Sequence, residues 1–202
     1  MVKNLSTNMK ILIGIGIFIL IIVLWFVGSY NGLIRVSTEV DESFANIETQ
    51  YQRRADLIPN LVEAVQGAVK FEKETQTEIA ALRSNAIAER EALKNAKTQQ
   101  ETLAAMNQID SVASTFSGLN INVENYPQLK ATENFLNLQA QLEGTENRVA
   151  VVRNRYNDKV KVFNVKIKKI PTVIIANMLG LEKQPFFESQ PGTEDVPKVD
   201  FG

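Results

Sequence analysis

Apolar positions in this chain fall into two regimes, an unrelieved run followed by narrow stripes at helical spacing. The run extends from Ile11 to Val27, and no charge appears between Lys10 and Arg35. At about 1.5 Å per residue, roughly 20 apolar residues cross a hydrocarbon core of about 30 Å, so the run predicts a spanning helix. Beyond it Leu33, Val36, Val40, Phe44, Ile47 and Tyr51 recur every three or four positions, as on a helix with one buried face. Asn31-Gly32 is the weak point between the two regimes. One glycine costs only about 1 kcal/mol against alanine, so the span is expected to continue into this helix.

Asp56-Leu57-Ile58-Pro59 reads as a boundary, with Asp56 as N-cap and Pro59 in the opening turn of a second helix. Leu61, Val65, Ala68, Phe71, Thr75, Ile79, Leu82 and Ala86 carry that helix to a lapse at Lys94–Thr98, where a turn is predicted. Leu103, Met106, Ile109, Val112 and Phe116 mark a third helix, and the Asn-rich stretch Gly118–Pro127 a loop. A last helix runs from about Gln128 towards Ile170, with Leu142, Thr145, Val149, Val152, Tyr156, Val160, Phe163, Ile167 and Ile170 in near-heptad register. Pro171 ends or bends it before a short apolar segment, Thr172–Leu181. Pro185, Pro191, Gly192 and Pro197 among acids then predict a mobile tail.

The predicted class is all-α: an N-terminal transmembrane helix continuing into a long antiparallel four-helix bundle, with a short C-terminal apolar helix and a mobile tail. The expected divisions are a flank at 1–10, the transmembrane helix at 11–30, the bundle at 31–181 and the tail at 182–202. Short turns make consecutive helices antiparallel, which returns the end of the last helix towards the bilayer. Its ~40 residues reach ~60 Å, against ~40 Å for the first helix beyond the membrane.

A cleaved secretory signal is the rival reading of the apolar run, given Lys3 and Lys10 before it and Val27-Gly28-Ser29 after it. The apolar core exceeds the ~7–15 residues usual in such signals, which favours an uncleaved anchor. Lys3, Lys10 and the terminal amine precede the span, and only Arg35 follows closely. Positive flanks stay cytoplasmic, so a single-pass membrane protein is expected, its bundle on the periplasmic or extracellular side.

Composition narrows the function classes. The 202 residues carry a net charge of −1 and contain neither cysteine nor histidine. Disulfides, imidazole bases, thiolate nucleophiles and the usual zinc or haem ligand sets are thereby excluded. Di-metal carboxylate bundles need Glu-x-x-His, which cannot occur here. Glu72, Glu74 and Glu78 read as an exposed acidic face rather than a cation site. Gly14-x-Gly16 lies inside the span and is no nucleotide loop. The balanced charge gives no reason to expect nucleic acid. The expectation is a non-enzyme with no catalytic, cofactor or metal residues.

Two sets of residues remain candidates. Lys10, Trp25, Tyr30, Lys159, Lys161, Lys166, Lys168 and Lys169 suit a membrane interface, the last five beside the apolar segment Val173–Leu181. For those five, a solvated helix face is the preferred reading over lipid contact, since lysines are common near helix C-termini. Arg53, Arg54, Asp56, Asn60, Glu146, Arg148, Arg153 and Asn157 suit a polar network fixing helix register, and networks of this kind more often specify packing than chemistry.

Several blocks together resemble the LemA family: Tyr30-Asn31-Gly32-Leu33, Arg53 through Val62, Tyr126 through Ala131, Leu142 through Arg148, and Arg155-Tyr156-Asn157. Ile170-Pro171 through Ala176 and Pro185-Phe186-Phe187-Glu188 complete the pattern. The resemblance implies an anchored antiparallel helical bundle, widespread in bacteria, with no established enzymatic activity or cofactor. Members have also been assigned the opposite topology, with a short external N-terminus. Some carry a lipid-modified cysteine near the start, and this chain has none.

The expected function is a membrane-anchored, self-assembling helical scaffold that organises proteins or lipid at the bacterial envelope. Its partners would be membrane lipid, further copies of the chain and an envelope protein. The alternative is an adaptor presenting partners to an envelope protease or signalling protein, through the loop Leu119–Tyr126 or the acidic tail.

Overall fold

The computed structural model describes residues 7–68, 73–118 and 133–187, and every regular element among them is helical. In order these are α1 (Thr7–Ala68), α2 (Lys73–Asn95), α3 (Gln99–Gly118), α4 (Glu133–Lys166) and α5 (Thr172–Met178). The all-α class and the long apolar N-terminal helix are as the sequence predicts. Two compact units divide the chain, one of Phe44–Asn154 and one of Met1–Ser43 with Arg155–Gly202. The predicted loop Leu119–Tyr126 and the tail from Glu188 lie outside the described residues.

In the unit Phe44–Asn154 the helices pack as a bundle. Arg83 of α2 meets Glu63 of α1 at 3.0 Å, and Arg90 meets Asp56 at 3.9 Å. The partners step seven residues in opposite senses, so α2 runs antiparallel to α1. A three-residue connection then joins α2 to α3, and the two helices pack on each other. The sharpness of this turn has a local cause. Thr98 Oγ1 accepts from the Glu101 backbone N–H at 3.2 Å, while the Glu101 carboxylate accepts from the Lys97 N–H at 2.7 Å. Thr98-x-x-Glu101 thus acts as a variant capping box at the start of α3.

The boundary expected at Asp56–Pro59 is not there. Helix α1 continues through Pro59 to Ala68. Proline inside a helix removes the bond to the carbonyl four residues earlier and crowds that turn, at a cost of about 3 kcal/mol. Against this, Ile58, Leu61, Val62 and Val65 are essentially fully buried. Each such side chain contributes roughly 1.5–3 kcal/mol, so the unbroken apolar stripe outweighs the proline.

The unit of Met1–Ser43 and Arg155–Gly202 has a different character along α1. One window of α1 is long and apolar enough to cross a membrane, and none of it is buried by the rest of the protein. Burial begins at Leu33 and continues at Val36 and Val40, and Tyr156, Val160, Phe163 and Ile167 are buried on the α4 side of the unit. Lys159 Nζ donates to Glu39 at 2.8 Å, and Lys166 Nζ donates to the Gly32 carbonyl. These pairs also lie seven residues apart on each helix in opposite senses, which makes α4 antiparallel to α1 here.

Helix α4 ends at Lys166, four residues before the expected Ile170. The Lys168 and Lys169 N–H groups bond back three residues at 3.2 and 3.3 Å, and the Thr172 hydroxyl donates to the carbonyls of Lys166 and Lys169. Carbonyls orphaned at the helix end are thereby satisfied without another helical turn. Ile170, expected on the buried stripe, stands exposed instead.

Candidate functional site

Two polar constructions stand out, one in each unit. Within Phe44–Asn154, Tyr51 and Arg54 sit one turn apart on α1, where the apolar stripe turns them inward. Both are buried. Asp110 faces them from α3, buried because it follows Met106 by four residues on that helix's inner face. The Tyr51 hydroxyl donates to both Asp110 oxygens, at 3.0 and 2.9 Å, and Arg54 Nη1 donates to Oδ1. From α4, Arg153 Nη2 donates to Asp110 Oδ2 and to the Tyr51 hydroxyl, while Glu146 Oε1 lies 2.6 Å from Arg54 Nε. The guanidinium carbons of Arg54 and Arg153 stand 5.9 and 5.3 Å from the Tyr51 ring centre, within reach of its negative face.

Two arginines and two acids balance, so the cluster is neutral as a whole. Burial pushes the Glu146 carboxyl up from its ordinary range, with Arg54 opposing and the Asp110 charge assisting. Burial likewise lowers the Arg153 guanidinium. Asp110 has both oxygens engaged by Tyr51, Arg54 and Arg153, which ties α1, α3 and α4 together at one level. The arrangement can set helix register.

In the other unit, two asparagines one heptad apart on α4 hold an extended segment. Asn164 donates to the Gln184 carbonyl at 2.8 Å and accepts from the Gln184 N–H at 2.9 Å. Asn157 does the same for Phe187, both at 2.9 Å. Seven helical residues advance about 10.5 Å, and three extended residues about 10 Å, so the two periods match. Tyr156 adds a hydroxyl bond to the Pro185 carbonyl at 3.3 Å and an edge-on ring contact with Phe187 at 5.4 Å. The segment is thus gripped by its backbone, in the manner of a strand in a ladder.

Of the residues singled out for a polar network, the structure brings together Arg54, Glu146 and Arg153. Arg53, Asn60 and Arg148 are exposed, and Asp56 is an exposed partner of Arg90. Asn157 belongs to the grip on Phe187. Tyr51 and Asp110 are the members that sequence reasoning missed. Of the interface candidates, Lys10, Trp25, Tyr30, Lys161, Lys168 and Lys169 are exposed, whereas Lys159 and Lys166 are half-buried and engaged with Glu39 and Gly32.

The chain is 27% identical over 187 residues to protein LemA of Metamycoplasma hominis, an alignment covering 92% of this chain and 77% of that protein. It is 23% identical over 189 residues to magnetosome protein MamQ 2 of Paramagnetospirillum magneticum, covering 84% and 68% respectively. A shorter similarity, 27% over 77 residues, links it to magnetosome protein MamQ of Magnetospirillum gryphiswaldense, covering 38% of this chain and 28% of that one. The LemA family model matches residues 43–201, a stretch that takes in the α1–α3–α4 ion cluster and the asparagine grip. With most of its length matched in this way, the chain belongs to the LemA family.

Proposed function

We propose that this protein is a non-enzymatic, membrane-anchored helical scaffold that self-assembles and organises proteins or lipid at the bacterial envelope. The observation that carries this reading is the change along α1. An apolar window stands wholly unburied, and from Leu33 onward the stripe positions turn inward. A helix apolar on every side needs lipid or other helices around it, so the window supplies an address and the rest of the chain supplies the body. Val162 and Val165, exposed on α4, add apolar surface for a neighbouring copy. The ionisable groups of the cluster are spent on one another, which supports structure over reaction. Similarity to magnetosome proteins supports a part in building a cellular structure.

Light scattering of the full-length protein in detergent tests self-assembly: a mass above one copy is expected, and a monomer at every concentration refutes it. The charge bias around the span supports a bundle outside the cytoplasm. A reporter fused after Gly202 that works only in the cytoplasm overturns that orientation.

The second reading is an adaptor that presents partners to an envelope protease or signalling protein through the loop Leu119–Tyr126 or the acidic tail. In-cell crosslinking separates the two. Links between copies favour the scaffold, and one foreign partner in fixed ratio favours the adaptor.

A further inference from the structure

We propose that the segment Lys168–Leu179 docks on the lipid surface, its apolar face at the boundary between headgroups and acyl chains on the side where α1 leaves the membrane. The proposal rests on reading the apolar window of α1 as a membrane span.

Level comes first. Lys166, the last residue of α4, bonds the carbonyl of Gly32, five residues beyond the apolar run that ends at Val27. Five helical residues rise about 7.5 Å. The headgroup layer on each side of a bilayer is about 5–7.5 Å thick, from a total of about 40–45 Å around a core of about 30 Å. The end of α4 therefore stands at headgroup height. Since α4 runs antiparallel to α1, the chain leaving Lys166 is at the membrane end of this unit, and it comes back under the hold of Asn164 only at Gln184.

Surface chemistry comes second. Ile170, Ile174 and Met178 are 87%, 60% and 71% exposed, and they recur at every fourth position. Ile175 and Ala176 are buried and fasten the opposite side of α5. Such exposure of large aliphatic side chains has no use in water at this density. Between residues 161 and 187 the chain has five lysines and a single acid, Glu182. Lys159 and Lys166 are engaged within the protein, but Lys168 and Lys169 are exposed and form no ion pair among the described residues. Anionic headgroups complement that surplus. The contact is short, yet it is tethered to the span and so forms at high effective concentration.

The full chain suits a direct test, having no cysteine and a single tryptophan, Trp25, inside the apolar run. Single cysteines at Ile174, Met178 and the exposed α4 position Asp158 carry an environment-sensitive fluorophore. Each variant is reconstituted in phosphatidylcholine–phosphatidylglycerol vesicles with lipids brominated near the headgroup. Quenching at 174 and 178 severalfold above that at 158 is expected, and Lys168→Glu with Lys169→Glu should reduce it while Trp25 quenching is unchanged. Trp25 quenched but 174 no more quenched than 158 overturns the proposal and leaves the span intact. A 174 probe that avoids quenching yet shifts to the blue as protein density rises also overturns it, in favour of a second copy. An unquenched Trp25 removes the span and the proposal with it.

Discussion

At the scale of single residues, Asp110 joins the most partners in the α1–α3–α4 cluster. It pairs with Arg54 and Arg153 and accepts the Tyr51 hydroxyl, all in a buried setting. Asp110→Ala removes the carboxylate that both guanidiniums share and should cost about 3–5 kcal/mol, read as a lower melting temperature by circular dichroism in detergent. Asp110→Asn should cost less, because its amide oxygen still accepts a hydrogen bond. The acids differ in how they respond to pH. Hydrogen bonds from Lys159 and then Arg35 hold the Glu39 carboxyl below its ordinary range. Its stabilising contribution is therefore complete above the ordinary carboxylate pKa and vanishes as pH falls through the lowered value. Glu146, pushed up by burial, has the opposite sign: its contribution is complete below the ordinary value and fades as pH rises through the raised one. The difference in melting temperature between the native protein and Glu39→Gln should shrink as pH drops from about 7 to 3. Arg54 was legible in the sequence because a charge stood beside an apolar stripe. Asp110 was not, since an acid next to Ile109 reads as solvated unless its four-residue spacing from Met106 is weighed.

At the scale of elements, continuity beat punctuation. Pro59 looked like the start of a helix because proline is tolerated there, but Ala55, Ile58, Leu61, Val62 and Val65 keep one face buried across it. The turn at Lys94–Thr98 was legible from the lapse in the stripe, and Thr98-x-x-Glu101 supplies its chemistry. The segment Gln184–Phe187 was not legible as structure. Its order comes from Asn157 and Asn164, distant in sequence, rather than from any local preference. Replacing either asparagine with alanine removes two hydrogen bonds, about 2 kcal/mol at roughly 1 kcal/mol each. Chymotrypsin cleavage at Phe186 and Phe187 should then accelerate roughly thirtyfold where cutting follows the open population.

At the scale of the whole molecule, helical class and candidate span were legible because both depend on composition and period alone. The division at Ser43 and at Asn154, inside two continuous helices, was not, because no break in either pattern marks it. Each unit has its own closing contacts, and this should show in amide exchange. Asp110→Ala should loosen Phe44–Asn154 more than residues 155–187, and Asn164→Ala should do the reverse. The antiparallel pairing of α1 with α4 also sets a timetable. Glu39 waits 120 residues for Lys159, and Gly32 waits 134 for Lys166. By contrast, the α2–α3 hairpin closes over a three-residue turn and can form as soon as it is made. During synthesis the first helix is thus complete while its seam from Leu33 to Val40 still lacks its partner. The nascent chain must shelter that seam until about four-fifths of the protein has emerged.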